Sequence, residues 1–200
     1  MPGIPSAPKR KAILDAAVTA FLRSGYAASV DEIAAAAGVG KQTVYRHFGD
    51  KQGLFAAALS TVRQTAEEPA ALQVARTNDP VQDLARIGER ILATALSPTL
   101  AALHRLTVAE AAAHPELAAY WSEGSAPFLE GGLTEYFREC DQAGALKVTD
   151  PARTARQFAY LLMTEGRMAS AYGTRSLNTR EREALAAQTA DLIVRAHRPD

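Results

Sequence analysis

Twenty-three residues from Ser29 to Lys51, SVDEIAAAAGVGKQTVYRHFGDK, constrain this chain more than any other stretch. Ser29 is a good N-cap and Glu32 stands three positions on, the spacing of a capping box in which each side chain satisfies the other residue's backbone N–H. Val30, Ile33, Ala34 and Ala37 follow at i, i+3, i+4 and i+7, so one helical face is apolar. Gly38 suits the left-handed conformation that ends a helix. Only Val39 and Gly40 remain before helical character resumes at Lys41. A helix, a short turn and a second helix make a helix-turn-helix. The second helix is predicted over Lys41–Phe48. Val44 and Phe48, four apart, turn inward and leave Lys41, Gln42, Thr43, Arg46 and His47 on the other faces. Those side chains bond phosphates and base edges. Lys41 and Lys51 also fall near helix starts, where the dipole disfavours a cation and a bound phosphate would offset that cost. A solvated polar face explains the charges alone; the charges together with the turn and the aromatic residues point to double-stranded DNA.

The run AAAAGVGKQTVYRHFGDKQGLF resembles the DNA-binding signature of the TetR family of transcriptional regulators. The matching features are AGV at the turn, T-V-Y-R-H-F on the recognition helix, and a Lys followed by Leu-Phe opening the next helix. The resemblance covers about Lys11 to Leu59. It departs at Gly40, where the family often has a serine cap; glycine is an acceptable cap, so the helix start is weakened rather than lost. The resemblance implies that Thr43, Tyr45, His47 and Lys51 hold the DNA backbone, and Ser29 can add a contact from the preceding helix start. Lys41, Gln42 and Arg46 are left on the face that enters the groove.

Alanine-rich composition with few β-branched runs favours an all-α fold, and about nine helices are expected with no convincing strand. Helix one is predicted from about Lys11 to Ser24 on an Ile13, Ala17, Phe21 stripe. The segment MPGIPSAPKRK ahead of it reads as a disordered basic arm over 1–10. Asp50 caps a helix running to about Glu68, with Leu54, Phe55, Ala58, Leu59 and Val62 inward. Asp79-Pro80, Ser97-Pro98 and Asp150-Pro151 each pair a cap with proline at the first helical position. They start helices running to about Leu96, to about His114 and to a point before Gly173. Shorter and longer helices are expected at 115–123 and 127–142. Asn178 with Glu181 opens the last helix, to about His197, with Leu185, Ala186, Thr189, Leu192, Ile193 and Ala196 facing a partner. The second half, LHRLTVAEAAAHPELAAYW and GALKVTDPARTARQFAYLL, resembles the C-terminal domain of the AefR-like branch of the same family, over about residues 80 to 195. That resemblance implies a ligand-sensing and dimerising domain. The expected organisation is the arm, a helix-turn-helix domain over 11–57, and a ligand-binding and dimerisation domain over 58–200.

Charge supports this division. Residues 1–51 hold seven Lys/Arg against four Asp/Glu, whereas the remainder is mildly acidic and the whole chain is neutral. A basic head on an acidic body confines a nucleic-acid contact to one end. Cys140 is the single cysteine, which fits a reducing cytoplasm and reads as a small buried thiol. No apolar run approaches the roughly 18 residues of a membrane span, and no signal peptide is evident.

Catalytic and cofactor chemistry finds no footing. The four histidines, at 47, 104, 114 and 197, form no i, i+4 pair and have no cysteine partners, so no metal site is expected. There is no nucleophile elbow, and Gly131-Gly132 belongs to no phosphate loop. The expectation is a protein that is not an enzyme and holds no cofactor. A small-molecule pocket is expected among the central helices, lined by Leu103, Leu106, Tyr120, Trp121, Phe128, Leu162 and Met163. Gly166 beside Arg167 in a helix interior has two explanations, a close helix contact or a ligand. The last two long helices are expected to pair with a second copy in a four-helix interface. The expected activity is therefore a homodimeric repressor released from a palindromic operator by a small apolar effector. The alternative is a DNA-binding regulator without an effector, whose C-terminal domain only dimerises.

Overall fold

The computed structural model describes residues 7–66, 76–115 and 131–199, with the backbone only at 63–66. These residues are all-α, and no strand occurs among them. The helices are α1 (Ala7–Ser24), α2 (Val30–Ala36), α3 (Lys41–Phe48), α4 (Lys51–Ala66), α5 (Pro80–Ala95), α6 (Pro98–Glu110), α7 (described over 131–142), α8 (Pro151–Ala169) and α9 (Thr179–Ala196). A single 3-10 turn, Gly25–Ala27, follows α1. Residues 116–123 of one predicted helix, and the 127–130 start of the helix predicted over 127–142, lie outside the described residues.

The caps read at Asp79, Asp150 and Asn178 are formed. Asp79 accepts from the N–H groups of Val81 and Gln82 at 3.0 and 3.3 Å, and Asp150 accepts from Arg153 at 3.0 Å. At the start of α9 the box closes in both directions: Glu181 N–H donates to Asn178 Oδ1 at 3.1 Å and Asn178 N–H to Glu181 Oε2 at 2.8 Å. The Arg175 guanidinium, 2.7 Å from Glu181, helps hold that carboxyl below its usual range.

Boundaries differ at three places. Helix α1 begins at Ala7, so Lys9 and Arg10 are helical rather than part of a disordered arm. Pro8 does not prevent this, because the first turn needs no N–H from it. Helix α6 ends at Glu110, four residues before His114, and 111–113 form a turn. Helix α8 stops at Ala169, and Ala171 and Tyr172 then adopt left-handed backbone.

The chain forms two compact units. In the first, Ile13, Ala17 and Phe21 of α1 pack with Ile33 of α2, Val44 of α3 and Phe55 of α4. Residues 102–115 join this unit, and Leu103 is buried in its core. An apolar stripe on α6 does not by itself say which core receives it.

In the second unit α5 packs most extensively on α9 and also crosses α8. Leu84, Ile91, Phe137, Phe158, Leu162 and Ile193 are central to its core. Two glycines set the crossings. A Cβ on Gly88 would stand 3.1 Å from the Ala186 methyl carbon and 3.3 Å from Leu162. A Cβ on Gly166 would stand 2.4 Å from Leu92 Cδ2, so a close helix contact accounts for this glycine. Arg182 bonds Glu89 at 3.0 Å between α9 and α5.

Asp83 is buried one turn into α5, which its charge does not suggest. Its Oδ1 accepts from Thr77 N–H at 2.9 Å, the Thr77 hydroxyl at 2.7 Å and Arg86 at 2.8 Å. Burial opposes its ionisation, but these bonds outweigh it and hold the carboxyl below its usual range.

The partner-facing assignment on α9 needs correction. Ala186, Thr189 and Ile193 are buried within the same chain, because the α9 face carrying them packs on α5 and α8. Leu192 is the large apolar residue that α9 leaves outside, 55% exposed.

Candidate nucleic-acid interface

The interface is built from the first unit upward. Phe21, Tyr26 and Phe55 form an edge-on aromatic cluster, with ring centroids 4.9 Å apart for Phe21–Phe55 and 5.3 Å for Tyr26–Phe55. Helix α2 starts on the predicted capping box: Glu32 N–H donates to Ser29 Oγ at 3.2 Å, and Ser29 N–H to Glu32 Oε2 at 3.5 Å. Gly38 takes φ +66°, and Val39 N–H returns to the Ala34 carbonyl at 3.0 Å. Gly40 caps α3 with its backbone only, its carbonyl accepting from Thr43 N–H at 2.8 Å.

Helix α3 hangs on Val44, which is fully buried, with Phe48 partly buried against the same core. That anchor decides what faces outward. Lys41, Gln42, Tyr45 and Arg46 are exposed; Thr43, His47 and Lys51 are half-buried. Ser29 is exposed at the start of α2. All eight residues expected to contact DNA therefore sit in one unit, with their polar groups outside its core. Tyr45 keeps company with Lys41, Gln42 and Arg46 on the open face rather than with the half-buried group.

Four electrostatic features complete the surface. The Arg10 guanidinium lies over the Phe48 ring at 5.2 Å, bringing the first turns of α1 to the end of α3. Partial burial, followed by the charges of Arg46, Arg10 and Lys9, holds the His47 imidazole below the ordinary histidine value. Lys51 Nζ stands 4.7 Å over the Tyr26 ring, a cation–π contact at the start of α4. The Lys41 ammonium is bound to Asp31 Oδ2 at 2.8 Å. Sequence reasoning saw the basic run at 9–11 but read it as an arm, and it missed Asp31. The signal for Asp31 lay only in the turn, which brings residues ten apart together.

The residues expected to line a ligand pocket are distributed differently. Leu103 and Leu106 pack in the core of the first unit, and Leu162 and Met163 in that of the second. Leu103 and Leu162 are fully buried as core. Tyr120, Trp121 and Phe128 lie outside the described residues. Among the described residues no cluster of His, Cys, Asp or Glu could hold a metal, and no single helix is long and apolar enough to cross a membrane.

Comparison with known proteins gives two family matches on this chain. Residues 13–58 match the bacterial regulatory proteins of the tetR family, and residues 82–199 match a family described as AefR-like transcriptional repressor, C-terminal domain. The chain belongs to the TetR family of transcriptional regulators. Its members are DNA-binding regulators, not enzymes. Among similar solved structures is a TetR-family transcriptional regulator from Mesorhizobium loti MAFF303099, 27% identical, with a TM-score of 0.81 over 98% of this chain and 100% of that one. Another is the Flavonoid-responsive Regulator FrrA, 26% identical, with a TM-score of 0.79 over 97% and 99% of the two chains. The HTH-type transcriptional regulator YvkB of Bacillus subtilis (strain 168) is 37% identical over 86 residues, 42% of this chain. The match spans only 44% of YvkB's length. With both TetR-family matches in place, α2 and α3 are the helix-turn-helix of a DNA-binding transcriptional regulator.

Proposed function

We propose that the protein is a cytoplasmic homodimeric repressor, released from a palindromic operator by a small, largely apolar effector. The observation that carries this reading is the recognition helix, anchored by Val44 and open to DNA along Lys41, Gln42, Tyr45 and Arg46. The repressor mode is supported by the description of the AefR-like family. The response to an effector is supported by the similarity to a flavonoid-responsive regulator, which makes an aromatic compound the first class to try.

The dimer is supported by what α8 and α9 leave outside. Tyr160 is 53% exposed and Met168 62%, and Leu192 adds a third large apolar side chain. Two helices from each copy would make a four-helix interface. An effector then acts only through unequal affinity for two dimer states, one of which fits two major grooves. We propose Tyr120 and Trp121 as effector contacts; Leu103 and Leu106 pack in one core and Leu162 and Met163 in another, so these four are not offered together as its lining.

On DNA, Thr43, His47, Lys51 and Ser29 hold the backbone and Tyr45 adds a phenol to it; Lys41, Gln42 and Arg46 enter the groove. Gln pairs with adenine and Arg with guanine, each worth roughly 1–3 kcal/mol of discrimination.

The test is a titration on an operator selected from random sequence and on a scrambled duplex. Lys51→Ala should weaken both alike and flatten the salt dependence by about one unit. Arg46→Ala should weaken the operator alone; equal loss on both duplexes returns Arg46 to the backbone contacts. Sedimentation of Leu192→Glu should give monomers, and a dimer that survives sinks the proposed interface. An effector at 100 times its Kd should add about 2.7 kcal/mol of stability and shift the fluorescence of Trp121, the only tryptophan. A saturating effector that leaves this fluorescence unchanged places the site elsewhere.

A further inference from the structure

Asp31 is an anomaly on a surface built to meet phosphates. It lies in the first turn of α2, two residues after Ser29, with its side chain 67% exposed. Its carboxylate accepts from Lys41 Nζ at 2.8 Å, across the turn between α2 and α3. Glu32, beside it, is engaged otherwise, on Ser29 N–H and 4.0 Å from Arg23. Lys41 is the first residue of α3, where the helix dipole disfavours an ammonium and no side chain caps the helix. Asp31 supplies the missing negative charge, and its hydrogen bond and charge raise the Lys41 pKa. The Tyr45 ring, 6.0 Å from Nζ, flanks the ammonium. Lys41 is thus already satisfied before DNA arrives.

We propose that Asp31 is a specificity-determining residue, an internal substitute for phosphate that keeps Lys41 off non-cognate DNA. The inference rests on α3 being the recognition helix. A lysine that has no partner neutralises whichever phosphate is nearest and adds the same affinity to every sequence. A lysine held at 2.8 Å by a carboxylate must break that bond first, and the carboxylate it leaves then faces the phosphates and repels them. Both penalties fall on loosely docked complexes, where a single mobile phosphate is all that replaces the carboxylate. A fully seated recognition helix offers Lys41 a fixed acceptor and offsets them. The pair is exposed enough to exchange, since an exposed ion pair contributes little to stability.

The experiment compares the full-length protein with Asp31→Asn, Lys41→Ala and the double variant, on the selected operator and on the scrambled duplex. Asp31→Asn keeps the shape and a side-chain acceptor in the first turn of α2; matching thermal melts establish that it folds. It should bind the scrambled duplex more tightly, with a salt slope steeper by about 0.9 for each Lys41 released. For each Lys41 released, that slope makes the gain about 3.5-fold larger at 50 mM than at 200 mM salt. Operator affinity should rise less, so the specificity ratio falls. Lys41→Ala should abolish the effect of the second substitution. An unchanged slope on the scrambled duplex, an equal gain on both duplexes, or a gain that persists without Lys41 overturns the proposal. Arg46→Ala tests the recognition-helix reading separately: if it binds both duplexes like the unchanged protein, that reading fails, whatever Asp31 does.

Discussion

Helices α2 and α9 open with the same device, a capping box at Ser29–Glu32 and another at Asn178–Glu181, yet they lie in regions made in different ways. Around α2 the structure is local. A cap, a glycine at φ +66° and one buried valine fix where α3 stands and which side chains it shows. Around α9 the structure is remote. That helix is held by α5, about a hundred residues earlier, and by α8, through Gly88, Ala186, Phe158 and the Arg182–Glu89 pair. Where function depends on neighbours in sequence, residue types reveal it. Where it depends on helices meeting across the chain, the pattern shows that a face is apolar and leaves its partner open.

Substitutions can break or sharpen this contrast. The largest effect is expected from Phe158→Ala, which empties a fully buried site in the second unit and should cost about 3–5 kcal/mol in chemical denaturation. A cost below about 1 kcal/mol would mean that the helix crossings do not carry that unit. Next is Gly88→Val, which forces new methyl groups against Ala186 and Leu162 and should cost about 1–3 kcal/mol. A melting temperature equal to that of the unchanged protein would show room that the crossing does not contain.

The paired caps give a finer comparison. Ser29→Ala and Asn178→Ala should each cost about 1 kcal/mol of stability. Only Ser29→Ala should also weaken DNA binding, since its hydroxyl is the one proposed as a DNA-backbone contact. Equal DNA affinities for the two variants would remove Ser29 from the interface.

The smallest expected effect is a pH dependence at His47. Its pKa is depressed in the free protein, so protonation opposes folding and stability falls as pH drops below the ordinary value of about 6.5. A phosphate beside the imidazole reverses the sign for binding: the complex takes up a proton, and DNA affinity rises through the same range. His47→Gln should flatten the affinity profile; a profile unchanged in the variant assigns the proton to another group.

Much of the fold was legible in the sequence. The bounds of α3 follow from its residues, and the caps at 79, 150 and 178 start their helices as expected. Other features were not legible for identifiable reasons. Leu192 and Ile193 are adjacent and equally apolar, and a rotation of about 100° puts one outside and the other in the core. Asp83 is buried because Thr77 and Arg86 reach it, which composition does not signal. In the interface, the residue types named candidate DNA-contacting side chains, which the fold brings into one unit. They did not show that Lys41 is already engaged, because that depends on how sharply the chain turns at 37–40.

Gly166 has a mechanical consequence. With no side chain between them, α8 backbone and Leu92 of α5 are in direct contact, and Gly88 lets α5 approach Ala186 of α9 and Leu162 of α8. Parts that mesh this tightly leave little slack: a displacement of one helix at these points presses on its neighbours. These three helices therefore act as a chassis. Under the proposed response to an effector, the moving parts would be mounted on this frame rather than cut from it.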